Sequence, residues 1–410
     1  MDLEQRLDEL KQLGLHRRLR LVSGPQGPRV VLDGRPVLLL CSNNYLGLAD
    51  HPRVREAAAD AAMRWGVGAG ASRLISGSMT IHRRLEERLA AFKGTRSALL
   101  FGSGYLANVG VVGALVAAGP PRAVVFSDEL NHASIVDGCR LARAETFVYR
   151  HADAEHLAWG LRQAEGRAAL IVTDSVFSMD GDVAPLEELA RLARRHRVRL
   201  VVDEAHGTGC LGPGGRGAVH EAGVEEEVDV VVGTLGKALG SYGAFAACDA
   251  VTARYLVNAA RTFIFSTAPP PPAVAAAMAA LELLDAHPER VDRLQANADA
   301  LRDELAREGF EVAGSATQIV PLVVGDAAQA MRVCELAIED GVFAQAIRPP
   351  TVPDGTSRLR LAVMASHTRA ELREAARVLG RAALRAGFRP GDGVPVVAAR
   401  DAAAQARAAA

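Results

Sequence analysis

Five short apolar runs, separated by stretches of helical periodicity, constrain the fold of this chain most strongly. Taken together, the runs contain many β-branched residues and lack the polar alternation of a half-exposed strand, which is typical of strands covered on both faces. Helical stretches such as PLEELARLARRH (185–196) lie between them. This alternation predicts right-handed crossovers and a mostly parallel sheet. The runs are SALLFGSG (97–104), RAVVFS (122–127), ALIVTDS (169–175), VRLVVDE (198–204) and VDVVVGT (228–234).

A proline-rich stretch, PPPPAVAAA from Pro269, interrupts this pattern. A long helical pattern follows to about residue 307, and a second, smaller α/β pattern then runs from TQIVPLVVGD (317–326) to a last helix ending near residue 386. The predicted organisation is an N-terminal helix with short strands (1–50), a large domain (51–285), a small C-terminal domain (286–388) and a loosely ordered, Ala/Arg-rich tail (389–410).

The stretch LVVDEAHGTG (200–209) contains the tetrapeptide DEAH, which also occurs in the Walker B strand of helicases. A nucleotide-hydrolysing protein of that kind needs a phosphate-binding loop of the form GxxxxGK[ST] earlier in the chain. The only Gly-Lys pair, Gly236–Lys237, comes after the DEAH and is followed by Ala238. The net charge of −1 also lacks the basic excess that nucleic-acid binding requires. Both observations exclude the helicase class.

Composition points to a reducing compartment and to no bound metal. The five cysteines are scattered and form no CxxC pair, so neither a disulfide framework nor a zinc site is predicted. The N-terminal segment is charged and has no apolar signal core. The longest nearly apolar run, AVAAAMAALELL from Ala273, falls short of the ~20 residues that span a bilayer. We expect a cytoplasmic protein that contacts neither a membrane nor nucleic acid.

Chemically competent side chains follow the predicted strands where they end. Ligands of a parallel sheet bind beyond the carboxyl ends of its strands, so these residues are expected to meet at one edge. The candidates are Gly104, Tyr105, His132, Ser178, Asp203, His206, Thr234 and Lys237.

Lys237 is the most informative of these candidates, because Gly233, Gly236 and Gly240 surround it and leave its amine accessible. A lysine amine with a lowered pKa forms a Schiff base with an aldehyde cofactor. A buried aspartate on a neighbouring strand, here Asp203, can keep a pyridine nitrogen protonated and so make the ring an electron sink. Glu204, the other acid of the DEAH, is expected to have a structural role.

The chain resembles the α-oxoamine synthases, a family of fold-type I pyridoxal-phosphate (PLP) enzymes. The resemblance covers roughly residues 15–387. It implies an α/β fold, with a large domain around a mostly parallel central sheet and a smaller C-terminal α/β domain. The matching segments are CSNNYLGLADHP (41–52), GAGASRLISG (68–77), HRRLEERLAAFKG (82–94), VFSMDGDVAPL (176–186), DEAHGTGCLGPGGRG (203–217), GTLGKALGSYGAF (233–245) and IRPPTVPDGTSRLRLAVMASHT (347–368).

The resemblance also assigns roles around a pyridoxal 5'-phosphate cofactor. Lys237 carries the Schiff base and later moves the substrate α-proton, Asp203 pairs with the pyridine nitrogen, and His132 stacks on the ring. His206 and Ser178 bond the ring oxygen. The phosphate end is held by Gly104, Tyr105 and Thr234, and by Ser266 and Thr267 of the neighbouring subunit in a homodimer.

The substrate residues follow from the same resemblance. Asn43 and Arg360 are expected to bind the amino-acid carboxylate, and Thr351 lies by the acyl path. Arg17 is the expected N-terminal substrate contact, with Arg18 or Arg20 as alternatives in the cluster GLHRRLR (14–20).

The segments IRPPTVP and PLVVGD are most similar to a family member that condenses L-alanine with a pimeloyl thioester, carried as pimeloyl-CoA or pimeloyl-acyl carrier protein. The expected reaction is therefore a decarboxylative acyl transfer. One alternative is a member that joins glycine to an acetyl thioester, or another α-oxoamine synthase, since these share the catalytic residues. A non-catalytic partner subunit of the same fold is a third possibility, which Lys237 argues against.

Overall fold

The computed structural model describes residues 2–164, 166–312 and 314–393. Two compact units divide the chain. The large unit consists of the described residues within 48–178 and 183–291, and the small unit of those within 1–47, 179–182 and 292–410. Most of the tail predicted for 389–410 lies outside the described residues, apart from a short 3₁₀ turn at Pro390–Asp392. None of the helices in the described ranges combines the length and the apolar character needed to cross a membrane.

The α-helices of the described residues begin and end as follows: α1 Leu3–Gln12, α2 Pro52–Trp65, α3 Thr80–Phe92, α4 Gly104–Ala117, α5 Ala133–Ala142, α6 Ala154–Gln163, α7 Leu186–His196, α8 Ala218–Glu221, α9 Ala250–Ala259, α10 Arg261–Ile264, α11 Pro271–Ala286, α12 Glu289–Arg307, α13 Ala327–Glu339 and α14 Arg369–Arg385. The strands are β1 Val22–Ser23, β2 Arg29–Leu32, β3 Arg35–Leu39, β4 Ser97–Phe101, β5 Val124–Asp128, β6 Glu145–Tyr149, β7 Ala168–Asp174, β8 Arg199–Asp203, β9 Val230–Thr234, β10 Ala244–Cys248, β11 Ile319–Gly325, β12 Val342–Phe343, β13 Gln345–Ile347 and β14 Ser357–Ala362.

The large unit is built on a seven-stranded sheet in the order β4-β10-β9-β8-β7-β5-β6. Strand β10 is antiparallel to both β4 and β9, and the other neighbours are parallel to each other. The expected fold is confirmed, since all five apolar runs form strands of this sheet. The two strands that the sequence analysis did not predict are β6, at the edge, and β10.

The core of the large unit places α4 against the sheet. This helix is apolar nearly all round, and Val111, Val112 and Leu115 are buried in one cluster with residues of β4, β10 and α9. Phe101 and Phe263 meet edge to face in that cluster, with ring centroids 5.7 Å apart. The burial fixes the start of α4 at the carboxyl edge of the sheet, where the site is found.

The small unit contains two sheets. One has the order β1-β2-β3-β12 and the other, which is antiparallel, has the order β11-β14-β13. Strand β3 pairs in parallel with β12, so the N-terminal segment that the sequence analysis treats separately shares a sheet with the C-terminal part of the chain. Arg358, fully buried on β14, forms an ion pair with Asp180, which ties residues 179–182 to this unit.

Candidate active site

A cavity of about 190 Å³ opens at the carboxyl edge of the large unit's sheet. It brings together residues from α4, from the start of α5 and from the ends of three neighbouring strands. Most of the strand-end residues that the sequence predicts are among those that line it. The lining residues are Gly104, Tyr105, Asn108, His132, Ser134, Asp174, Asp203, Ala205, His206, Thr234 and Lys237.

Asp203 is the last residue of β8, and its carboxylate is buried. Oδ1 accepts a hydrogen bond from the backbone N–H of Ala205 at 2.7 Å, and Oδ2 accepts one from Asn108 Nδ2 at 2.5 Å. Both donors are neutral. Because a buried charge is costly unless it is paired, this carboxylate is suited to receive a cationic group in the cavity.

Lys237 lies in the loop that follows β9, and its Nζ is 2.9 Å from His206 Nε2. The turn after it approaches the backbone of residues 48–49 so closely that a Cβ on Gly240 would lie 2.4 Å from the backbone nitrogen of Ala49. Gly240 also has a φ of +59°, which favours glycine. Packing of this loop therefore sets where the lysine amine is held.

His132 precedes α5 as its N-cap, and its backbone N–H donates to Asp174 Oδ2 at 2.6 Å. Burial lowers the pKa of His132, so the imidazole is neutral at pH 7. Asp174 pairs in register with Asp203 across β7 and β8. Burial, followed by the nearby Asp203 carboxylate, raises the pKa of Asp174 well above its usual value. The Asp203 carboxylate thus opposes the ionisation of Asp174.

Gly104 and Tyr105 form the first turn of α4, which Ser103 caps by accepting a hydrogen bond from Leu106 N at 3.2 Å. The hydroxyl of Tyr105 donates to Asp137 Oδ2 at 2.7 Å, which holds the ring at the cavity wall. Thr234 Oγ1 accepts from the N–H of Gly236 at 3.2 Å.

Three predicted cofactor residues of the large unit are not among the residues that line the cavity. Ser178 is half-buried at the end of the segment that follows β7. Ser266 is half-buried and Thr267 is exposed, and the latter forms an isolated antiparallel bridge with Ser72. Conversely, the cavity is lined by four residues that were not predicted from the sequence, namely Asn108, Ser134, Asp174 and Ala205. Asp174 ends an apolar run as Asp203 does, and this pattern is a signal that could have identified it.

The small unit holds the predicted substrate residues. Both terminal nitrogens of Arg360 lie 3.3 Å from Asn43 Oδ1, and Nη2 lies 3.2 Å from the hydroxyl of Tyr45. The predicted pair is therefore in contact, and a guanidinium oriented in this way suits a carboxylate. Thr351 is exposed in a turn, where its N–H donates to Arg348 O at 3.2 Å.

The N-terminal arginines differ in their surroundings. Arg20 and Arg18 both contact Glu335 Oε1, at 2.5 Å and 3.4 Å. Arg17 is exposed and lies near Arg348, whose pKa is lowered by burial and by the Arg17 charge. Arg348 in turn donates to the backbone carbonyls of residues 14 and 16. Two of the three arginines that the sequence offers as substrate contacts, Arg18 and Arg20, are thus engaged with Glu335.

Known proteins resemble this chain in sequence and in fold. The sequence profile of the family "Aminotransferase class I and II" matches residues 35–379. The 8-amino-7-oxononanoate synthase of Citrifermentans bemidjiense is 53% identical over 92% of this chain and 96% of its own length. A structure of serine palmitoyltransferase (SPT) with a PLP internal aldimine superimposes with a TM-score of 0.88 at 33% identity, covering 94% of this chain and 97% of that one.

A solved 8-amino-7-oxononanoate synthase from Francisella tularensis has a TM-score of 0.73 at 26% identity, covering 86% of this chain and 99% of that one. The resemblance on which the sequence analysis relied is confirmed by these matches, which span nearly the whole chain. This chain therefore belongs to the aminotransferase class I and II family and has the fold of a fold-type I PLP-dependent transferase.

Proposed function

We propose that this protein is a PLP-dependent acyltransferase that condenses L-alanine with a pimeloyl thioester. The products are 8-amino-7-oxononanoate, carbon dioxide and the free thiol, and the reaction belongs to biotin synthesis. The observation that carries the proposal is the cavity in which Lys237, Asp203 and His132 meet. The 53% identity to an 8-amino-7-oxononanoate synthase supports the choice of substrates.

The residues of the cavity fit PLP. A carboxylate held by neutral donors matches a protonated pyridine nitrogen, and a half-buried lysine amine matches an aldehyde. Asp203 would hold the ring nitrogen, Lys237 the aldehyde carbon and His132 a ring face. His206 and Ser178 would bind the ring oxygen. Gly104, Tyr105 and Thr234 would bind the phosphate, together with Ser266 and Thr267 of a second subunit.

PLP, when bound, supplies an electron sink for the electron pair left on the α-carbon of the amino acid. The chain's own groups manage the proton. Lys237 Nζ removes the α-proton of alanine and later returns a proton to the same carbon. His206 Nε2, at 2.9 Å, orients that amine. Asn43 and Arg360 bind the alanine carboxylate, which leaves as carbon dioxide after the new carbon–carbon bond has formed. Thr351 lies by the path of the acyl donor, and Arg17 is the proposed N-terminal substrate contact.

The discriminating experiment is a substrate panel with mass detection of the products. We expect PLP-loaded protein to convert L-alanine and pimeloyl-CoA, or pimeloyl-acyl carrier protein, to 8-amino-7-oxononanoate. The rate should exceed that with glycine and acetyl-CoA by about tenfold or more, since alanine and glycine differ by one methyl group and the acyl chains by several carbons. Faster turnover of glycine with acetyl-CoA would favour the glycine acyltransferase alternative. No turnover with any of these substrates would favour the non-catalytic subunit.

The proposed assembly is a homodimer in which Ser266 and Thr267 complete the partner's phosphate site. The bridge between Ser72 and Thr267 is flanked by exposed apolar side chains, Ile75 and Phe265. Exposed apolar surface of this kind is typical of a protein interface. The proposed compartment is the cytoplasm, whose reducing conditions agree with the free thiols of all five cysteines.

We expect a mixture of Lys237→Ala chains with Ser266→Ala/Thr267→Ala chains to regain activity that neither parent has. In the heterodimer, the site of the double-variant chain keeps its lysine and receives intact Ser266 and Thr267 from the Lys237→Ala chain. Its other site lacks all three groups. The measurement is turnover at low PLP concentration, after mass analysis has verified the heterodimer. Absence of regained activity would place Ser266 and Thr267 in their own subunit's site or outside any site.

A further inference from the structure

Asn108 lies one helical turn beyond Gly104 on α4, and its side chain connects two of the proposed catalytic residues. We propose that Asn108 is a positioning residue, whose amide holds the Asp203 carboxylate and, through Ser134, fixes His132 in the tautomer with its proton on Nε2. The inference deepens the proposed function and rests on it for the roles of Asp203 and His132. The geometry that carries it lies entirely within the large unit.

The amide group of Asn108 has a fixed orientation. Its Nδ2 lies 2.5 Å from Asp203 Oδ2 and 2.8 Å from Ser134 Oγ. A carboxylate only accepts hydrogen bonds, so the nitrogen and not the oxygen of the amide faces Asp203. The second N–H of the same nitrogen is then directed to Ser134, and both hydrogens of the amide are used.

The hydroxyl of Ser134 connects the Asn108 amide to His132 by hydrogen bonds. Because Ser134 Oγ accepts from Asn108, its own hydrogen is available for His132 Nδ1, which lies 2.7 Å away. The backbone N–H of Ser134 also donates to Nδ1, at 3.2 Å. A ring nitrogen that accepts from two donors carries no hydrogen, so the proton of the neutral imidazole is on Nε2.

Packing holds the three elements close enough for this network. A Cβ on Gly138 of α5 would lie 3.2 Å from Val112 Cβ and 3.4 Å from the carbonyl oxygen of Asn108 on α4. Glycine at this position thus permits the approach of α5, which carries Ser134 in its first turn. Asn108 and Ser134 are both buried, so water does not compete for these hydrogen bonds.

The Oδ1 atom of Asn108 indicates that the residue is not present for stability alone. It is buried and makes no hydrogen bond within the described parts of the chain. An unsatisfied buried amide oxygen is destabilising, and an apolar residue of similar size would avoid it. The two donor contacts of Nδ2 account for an asparagine here, because they serve Asp203 and His132 at once.

The test uses the PLP-loaded enzyme with Ser134→Ala, Asn108→Ala and the control Asn297→Ala. Asn297 is another buried asparagine whose Nδ2 makes two hydrogen bonds, to the carbonyls of Met364 and His367 in the small unit. NMR of ¹⁵N- and ¹³C-labelled histidine reports the tautomer and the pKa of His132, whose signal is assigned by its loss in His132→Asn. Turnover and unfolding temperature are measured on the same samples.

Ser134→Ala removes the hydroxyl that donates to His132 Nδ1, and Asn108→Ala removes the amide that orients this hydroxyl. Both variants should therefore raise the pKa of His132 and mix its tautomers, because the unprotonated Nδ1 is less stabilised. Asn108→Ala should also lower kcat by about a hundredfold, more than Ser134→Ala, because it frees the Asp203 carboxylate as well. Asn297→Ala should lower the unfolding temperature and leave the His132 signals unchanged.

Wild-type His132 signals in both test variants, or equal shifts in the Asn297→Ala control, would overturn the positioning role. The NMR readout requires no turnover. A protein that shows the expected His132 shifts but does not condense alanine with a pimeloyl thioester would therefore contradict the proposed function and leave this inference standing.

Discussion

Replacing Asp203 with asparagine is expected to lower turnover by about a thousandfold while the protein still folds. The substitution keeps the shape of the side chain and its contact with the N–H of Ala205 but removes the negative charge. A neutral amide does not hold a pyridine nitrogen in its protonated form, so the ring loses its strength as an electron sink. Turnover should therefore fall far more than the affinity for PLP, which is measured by titration of the cofactor absorbance.

Asp229→Asn is the matched control for this prediction. Asp229 directly precedes β9, at the amino ends of the parallel strands and so opposite the cavity. Its Oδ2 accepts a hydrogen bond from Leu200 N at 2.8 Å. Asp229→Asn removes a carboxylate charge as Asp203→Asn does, but at the end of the sheet away from the cavity. It should leave turnover close to the wild-type rate. If Asp203→Asn also turns over near that rate with PLP bound, Asp203 does not hold the ring nitrogen.

Lys93→Met is expected to destabilise the fold by about 3–5 kcal/mol. Lys93 and Glu204 are both fully buried and form an ion pair, and Lys93 Nζ also donates to the carbonyl of Arg216. Glu204 Oε1 accepts from Val219 N at 2.7 Å. Without the lysine, the Glu204 carboxylate would remain buried with its cation removed. The free energy of unfolding, measured by urea denaturation, checks the prediction.

The double variant Lys93→Met/Glu204→Met should recover most of that stability, because it removes both charges together. Arg64→Met serves as the control for an exposed ion pair, that of Arg64 with Asp60, and should cost less than about 1 kcal/mol. A double variant as unstable as the single one would show that the loss arises from packing and not from the unpaired carboxylate.

The Lys93–Glu204 pair also explains the acid that stands beside Asp203 in the DEAH stretch. Glu204 reaches the glycine-rich loop that follows, where a Cβ on Gly217 would lie 2.0 Å from its Oε2. Gly217 has a φ of +113°, which likewise favours glycine. The structural role that the sequence analysis expected for Glu204 agrees with these contacts, but its partner Lys93 was not predictable from a segment so distant along the chain.

Local patterns explain how much of the fold was predictable. Four of the five apolar runs form β5, β7, β8 and β9, neighbouring parallel strands rich in buried β-branched residues, so their sequence carries a strong signal. The fifth run forms β4, an edge strand antiparallel to β10, whose residues Ala98 to Phe101 are buried. Strand β10 reads AFAAC, and alanine has little preference for strands, so its place between β4 and β9 is decided by packing. Strand β6 lies at the edge of the sheet and mixes exposed and buried positions, which weakens its signal.

The site was predictable where its residues end strands or carry distinctive chemistry. Asp203, His206 and Lys237 share the cavity because parallel strands end at the same edge. Asn108 and Ser134 lie inside helices, where their types suggest capping or a solvated surface. Their role depends on how closely α4 and α5 pack, and the sequence does not show this. The ion pair of Asp180 with Arg358 likewise joins segments too far apart in the chain for sequence patterns to reveal.

The most direct measurement of the central claim is borohydride reduction of the PLP-loaded protein, followed by peptide mapping. The chain has only three lysines, Lys11, Lys93 and Lys237, so the possible sites of a reduced Schiff base are few. Lys11 lies exposed on α1 and pairs with Asp8, while Lys93 is fully buried against Glu204.

We expect a yellow protein whose reduced pyridoxyl adduct maps to Lys237 alone, because Lys237 is the lysine that lines the cavity with Asp203 and His132. The Lys237→Ala variant should give no adduct. An adduct on Lys11 or Lys93, or none on the wild-type protein at saturating PLP, would contradict the account.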